Sequence, residues 1–330
     1  MRILILGGGG LGSVLAAYLA RAGTDVTLFV KPAQAAALTA DGPAPGVATL
    51  HVSGLATFST PVRVTADPAA VGTPDFLIVC VKARDTEAAL APLQGLAVGA
   101  VLSLQNGVQK NEVLARFFGR ERVLGAITGM GGRLLAPGRV EHFLTAPTLV
   151  GELDGGPSPR GERLAAALAA AGLPAACVPD IVRREWHKLA IFLRTAPVCA
   201  LTGTDIPGAL LDPDLLEVCM RVAKEVAAVA AAEGQPLDDM PVWLMPSVTF
   251  GSPEAAVRAA LGEIAAGLRA QGVPLYPSLA QDTFAGRPTE LEATAGDVVH
   301  RAARHGIDVP VLATLYRLLR IREPGRQAEG

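Results

Sequence analysis

The chain has 330 residues, half of them apolar, and its charges nearly cancel at a formal −2. That length supports two domains with cores of their own. The balanced charge excludes a general attraction to nucleic acid or to anionic lipid, so neither a nucleic-acid nor a membrane partner is expected.

In chain order, Arg2–Leu6 (RILIL) reads as a buried strand, followed by a glycine-rich turn and a helix over Gly12–Gly23. The basic start and apolar run also suit a signal peptide. Four consecutive glycines, Gly7–Gly10, would weaken the helix such a segment needs, whereas strand–turn–helix accommodates them without strain. Asp25–Val30, Asp75–Val81 and Ala100–Gln105 read as further strands, with helices over Thr86–Leu93 and Asn111–Phe118 after the last two. Arg139–Phe143 and Pro147–Leu153 read as later strands, and Gly161–Gly172 as one more helix. Strands alternating with helices predict βαβ units, hence an α/β fold with a Rossmann-type doubly wound parallel sheet covered on both faces.

From about Pro179 strand-like runs nearly vanish. Asp214–Gly234, Ser252–Gly272, Thr289–Gly306 and Val309–Arg322 are helical in period. The expected division is a Rossmann-type domain over 1–178 and an all-helical C-terminal domain over 179–330. Glu323–Gly330 reads as a frayed tail. Cys80, Cys177, Cys199 and Cys219 lie in apolar runs without metal-ligand spacing, so buried thiols in a reducing cytoplasm are expected and a metal site is not.

Gly7, Gly9 and Gly12 form G-x-G-x-x-G directly between a strand and a helix, with Gly10 and Leu11 completing the turn. The first glycine permits the turn, the second lets the backbone approach a pyrophosphate, and the third lets helix and strand pack closely. A dinucleotide is therefore the expected cofactor. An NAD site usually ends its second strand with an acid for the ribose diol. Here that strand ends in Val30 and Lys31, and the next acid is Asp41. A cation at that place suits the 2′-phosphate of NADP, although a merely solvated lysine reads the same way. Gln34 is a second candidate for that phosphate. Two more loops leave strand carboxyl ends, where ligands of open α/β sheets bind: one presents Lys82, the other Asn106–Gly107.

Lys188 stands inside an apolar stretch, between Trp186 and Leu189, Ala190, Ile191, Phe192 and Leu193. On a helix, Phe192 and Thr195 share its face. The bland reading is a lysine whose stem lies on apolar surface while its head reaches water. The functional reading is an ammonium that opens into a cleft between the domains and donates a proton. Glu290 is a candidate carboxylate to hold it, and Ser278 a candidate ligand for an anionic substrate group.

The motifs ILGGGGLG, VCVKA, QNGV, GAITGMGGRLLAPGRVEH, EWHKLA, PSLAQD, TELEATAG and AARHGIDVP occur in this order over nearly the whole chain. In them the chain resembles the ketopantoate reductase family (2-dehydropantoate 2-reductases). The resemblance implies an N-terminal Rossmann domain, a helical C-terminal domain and NADPH as cofactor. It implies that Lys188 is the general acid and Glu290 the active-site carboxylate, that Ser278 holds the substrate carboxylate, and that Lys82 and Asn106 line the site near the nicotinamide. Relatives usually carry asparagines one and two turns after the lysine and another before the glycine that follows the glutamate. Phe192, Ala196 and Ala295 stand there instead, which predicts weaker selectivity for a substrate hydroxyl.

The expected activity is NADPH-dependent reduction of a small 2-oxo acid, with ketopantoate to pantoate as first substrate, in the cytoplasm, with a homodimer left open. The alternatives are a related reductase for a less polar keto compound and an NADP-binding regulatory protein without turnover. Dehydrogenases of the 6-phosphogluconate type fit the lysine and glutamate motifs less well.

Overall fold

The computed structural model describes residues 1–238, 252–272 and 274–324. The greater part of 238–255, which joins two of the expected helices, and the tail 325–330 lie outside the described residues. Two compact units emerge: residues 1–105 with 110–182, and residues 106–109 with 183–330. The short Asn106–Gln109 loop thus clusters with the helical unit although the chain on either side of it belongs to the first.

The first unit contains β1 (Arg2–Leu6), α1 (Gly10–Arg21), β2 (Asp25–Phe29), α2 (Pro32–Thr39), β3 (Val47–Gly54), β4 (Phe58–Thr65), β5 (Phe76–Val79), α3 (Thr86–Leu90), β6 (Ala100–Ser103), α4 (Lys110–Phe118), β7 (Leu124–Thr128), β8 (Gly131–Ala136), β9 (Arg139–Leu144), β10 (Thr148–Glu152), α5 (Pro159–Ala170) and β11 (Ala175–Cys177). Eight strands form one sheet in the order β6-β5-β1-β2-β4-β3-β9-β8; β11, β10 and β7 form another. The strands from β6 to β4 run parallel. The alternation of β1 shows why this sheet is covered twice. Ile3 and Ile5 enter one core with Leu15, Leu28 and Ile78, while Leu4 and Leu6 enter another with Phe29, Leu77 and Leu90. Burying each such side chain contributes about 1.5–3 kcal/mol before the entropy of ordering it is subtracted.

The expected parallel α/β sheet is present but extended. β3 pairs antiparallel with β4 and parallel with β9, and β8 pairs antiparallel with β9, so the sheet is mixed. β3 and β4 escape a search for continuous apolar runs because only alternate residues are buried, the signature of strands with one wet face. The cysteines also depart from expectation. All four are free, but only Cys199 and Cys219 are buried; Cys80 and Cys177 are half-buried. Cys177 ends β11, a three-residue strand that among the described residues pairs with β10 at the edge of its sheet.

The second unit is helical: α6 (Ile181–Thr202, whose first two residues belong to the first unit), α7 (Ile206–Leu211), α8 (Pro213–Ala232), α9 (Glu254–Ala270), α10 (Ser278–Phe284), a single π turn over Glu292–Gly296, α11 (Asp297–His305) and α12 (Pro310–Arg322). Asp212 caps α8 by accepting from the backbone of Asp214 and Leu215. Gly306, in the left-handed conformation, ends α11. Among the described residues no helix is long and apolar enough to cross a membrane.

Candidate active site

The glycine loop follows β1 and opens α1. Gly7 has φ +113°, which only glycine adopts easily. A side chain at Gly12 would run into the Gly7 carbonyl, so helix and strand could not approach as they do. Gly10 meets Gly132 of β8 in the same way: a Cβ at Gly132 would stand 2.6 Å from the Gly10 oxygen. That contact accounts for Gly132 of the GMGG segment, to which no role attaches in the sequence, whereas a Cβ at Gly131 would meet the Phe143 ring. The first turn of α1 carries no acidic residue and no side-chain cap, and the space in front of Gly9 is open. Uncapped amides at a helix N-terminus with free space before them fit a dinucleotide pyrophosphate.

Lys31 is exposed and stands at the N-cap position of α2 without a side-chain capping bond, two residues after β2; Val30 beside it is buried. Gln34 donates from Nε2 to the Gly8 carbonyl at 2.7 Å. Its amide therefore braces the glycine loop as well as lying near Lys31 in the chain.

The loops after β5 and β6 are tied together by groups that motif reading passed over. The Gln105 amide donates to the Val81 carbonyl at 2.7 Å and the Thr86 hydroxyl at 2.6 Å, and its oxygen accepts from Ser103 at 2.9 Å. Lys110, only 6% exposed, donates from Nζ to the carbonyls of Gln105 at 3.0 Å and Ala126 at 2.5 Å. A cue existed: Lys110 begins α4, where the helix dipole disfavours a cation. The ammonium reaches back to the carbonyl that precedes Asn106, while Lys82 sits half-buried just beyond Val81.

In the helical unit, Asn106 donates from Nδ2 to Oε2 of Glu290 at 3.2 Å. Glu290 is 9% exposed. Gly107, at φ +86°, lies so close to the Ala293 carbonyl that any Cβ there would collide with it. The loop is therefore seated on the π turn that follows Glu290. π turns are rare and concentrate at functional sites.

Lys188 lies half-buried on α6, beside the buried Leu189 and Ala190 and two residues after buried Trp186. Phe192 is half-buried one turn on; Thr195 and Ala196 are buried, and so is Ala295. Ser278 begins α10 and is half-buried. His187, next to Lys188, donates from Nε2 to the Asp238 carbonyl at 2.6 Å, and burial holds its imidazole below the ordinary value of 6.5.

The family described as ketopantoate reductase PanE/ApbA matches residues 3–155, and its C-terminal counterpart matches residues 180–323. The chain is 33% identical to a 2-dehydropantoate 2-reductase of Archaeoglobus fulgidus, over 98% of each chain. It is 31% identical to the enzyme of the same name from Halobacterium salinarum, over 98% of this chain and 99% of that one. Among solved structures, a PanE/ApbA family ketopantoate reductase from Ralstonia eutropha superposes with a TM-score of 0.80 at 27% identity, covering 99% of this chain and 100% of that one. D-mandelate dehydrogenase with NADH and anilino(oxo)acetate shares the fold, with a TM-score of 0.79 at 20% identity, covering 99% of this chain and 100% of that one.

Proposed function

The chain belongs to the ketopantoate reductase family, a family of nicotinamide-dependent oxidoreductases, and on that premise we propose that it reduces ketopantoate to pantoate with NADPH. The observation that carries this reading is the pairing of Asn106 with Glu290 in the unit that also holds Lys188. When bound, NADPH would supply the hydride for the carbonyl carbon of the substrate. Lys188 donates a proton to the carbonyl oxygen, where negative charge develops, and the apolar residues around its stem keep competing water away. Glu290 orients the substrate and the ammonium, with Asn106 fixing the carboxylate. Ser278 donates to the substrate carboxylate, and Phe192 and Thr195 bound the substrate's side chain.

The glycine loop from Gly7 to Gly12, with Gly9, Gly10 and Leu11, takes the pyrophosphate. Lys31 takes the 2′-phosphate, with Gln34 beside it, which makes NADPH the preferred cofactor. Lys82 and Asn106 would be the residues that hold the nicotinamide end. A second reading, a 2-oxo acid with an apolar substituent, is favoured by Phe192, Ala196 and Ala295, which offer no hydrogen bond to a hydroxyl.

The test is NADPH consumption with ketopantoate. Lys188→Ala is expected to lower kcat by roughly 10²–10⁴-fold while NADPH affinity changes little. Full activity in that variant would rule out the assigned acid.

A further inference from the structure

The π turn after Glu290 is contacted by two side chains of α12. Tyr316, 4% exposed, donates its hydroxyl to Oε2 of Glu292 at 2.6 Å. Arg320, one turn further along α12, bonds Oε1 of the same carboxylate through Nε at 3.0 Å, and its guanidinium stands 5.3 Å from the Tyr316 ring centre. The carboxylate lies over Gly296. A Cβ there would stand 2.9 Å from the Glu292 oxygen and 3.1 Å from the Tyr316 ring, so glycine at this place lets the three side chains meet.

The turn itself is closed by the backbone of Gly296, which donates to the Leu291 carbonyl at 2.9 Å, a span of five residues. Thr294 ties its hydroxyl to the Glu290 carbonyl at 2.7 Å. Relaxation to α geometry would remove one residue from the turn. Everything before it would then rotate by about 100° and shift by about 1.5 Å relative to α11. That movement would take Glu290 away from Asn106 and the Ala293 carbonyl away from Gly107.

We propose that Tyr316 and Arg320 act as a latch on Glu292 which holds the π register and so aims Glu290. They are positioning residues. The proposal rests on the reading of Glu290 as the active-site carboxylate. Both contacts end on the Glu292 carboxylate; in the ion pair the two side chains are 38% and 59% exposed and therefore screened, while the tyrosine itself is 4% exposed.

Tyr316→Phe removes one oxygen and keeps the ring's packing. It is expected to lower kcat/KM for the 2-oxo acid by about tenfold, as loss of a hydrogen bond to a charged group does, without changing NADPH affinity. In a Glu290→Gln background it should cause no further loss, because both changes act through one carboxylate. The Gly296 amide should exchange with solvent faster, and the side-chain amide resonances of Asn106 should shift. Glu292→Gln, which still accepts from Tyr316, should retain more activity than Glu292→Ala. Unchanged exchange at Gly296, an unshifted Asn106 amide, or a loss that adds fully to that of Glu290→Gln would each overturn the latch. If the wild type reduces no 2-oxo acid, the functional reading fails, and the Gly296 exchange and Asn106 resonances still decide whether the latch aims Glu290.

Discussion

Asn106 and Glu290 are 184 residues apart in the chain and 3.2 Å apart in the fold. The amide is held by a loop whose next residue, Gly107, can only be glycine, and the carboxylate by the residues that lead into a π turn. Removing the donor leaves a nearly buried carboxylate with fewer partners. Asn106→Ala is expected to lower kcat/KM by one to two decades, since a hydrogen bond to a charged group contributes about 1.5–3 kcal/mol. Steady-state kinetics with both substrates varied measures this. An unchanged kcat/KM would mean that the contact has no part in catalysis.

Cofactor choice is expected to follow Lys31. The side chain is exposed at the end of β2, with no acid beside it to hold a ribose diol. Lys31→Asp should weaken or reverse a preference for NADPH over NADH, by about one to two decades in relative affinity. Fluorescence titration of both cofactors checks it, and equal affinities in the wild type would defeat the assignment.

Substrate range is expected to follow Phe192. A site that hydrogen-bonds a hydroxyl can discriminate by about 10⁴-fold against the analogue lacking it, and an apolar wall cannot. Ala196, fully buried, is a poor place to restore an amide, because extra atoms in a closed core cost about 1–3 kcal/mol. Half-buried Phe192 can be exchanged with less strain. Phe192→Asn should raise the ratio of kcat/KM for ketopantoate to that for 2-oxoisovalerate. A wild type that already discriminates by several decades, with no gain in the variant, would remove Phe192 from the account.

Stability should depend on two buried histidines. His142 on β9 is 2% exposed and shares a 2.8 Å hydrogen bond with the Tyr18 hydroxyl of α1. Burial holds its imidazole below the ordinary value of 6.5, and His187 is lowered by the same cause. The folded state binds these protons less readily than the unfolded chain does. Their contribution is therefore complete above about pH 6.5 and is lost as pH falls from there through the lowered folded values, at about 1.4 kcal/mol per unit of depression. Denaturant midpoints measured between neutral and mildly acid pH should fall less steeply in His142→Gln than in the wild type. Parallel profiles would show that His142 does not carry the acid sensitivity.

The sequence by itself determined the elements whose signals are local. A glycine pattern between an apolar run and a helix, the helical periods after Pro179, and a lysine in place of an acid after β2 depend on neighbours within a few residues. Backbone sterics and side-chain periodicity act over that range. Tertiary structure alone decided which distant groups meet. It extended the sheet with β3, β8 and β9, set Gly132 against Gly10, made Gln105 a tie between two loops and Lys110 a tie from Gln105 to β7, and brought Asn106 to Glu290. A hydrogen bond needs its partners within about 3 Å, and only the path of the whole chain determines which residues come that close.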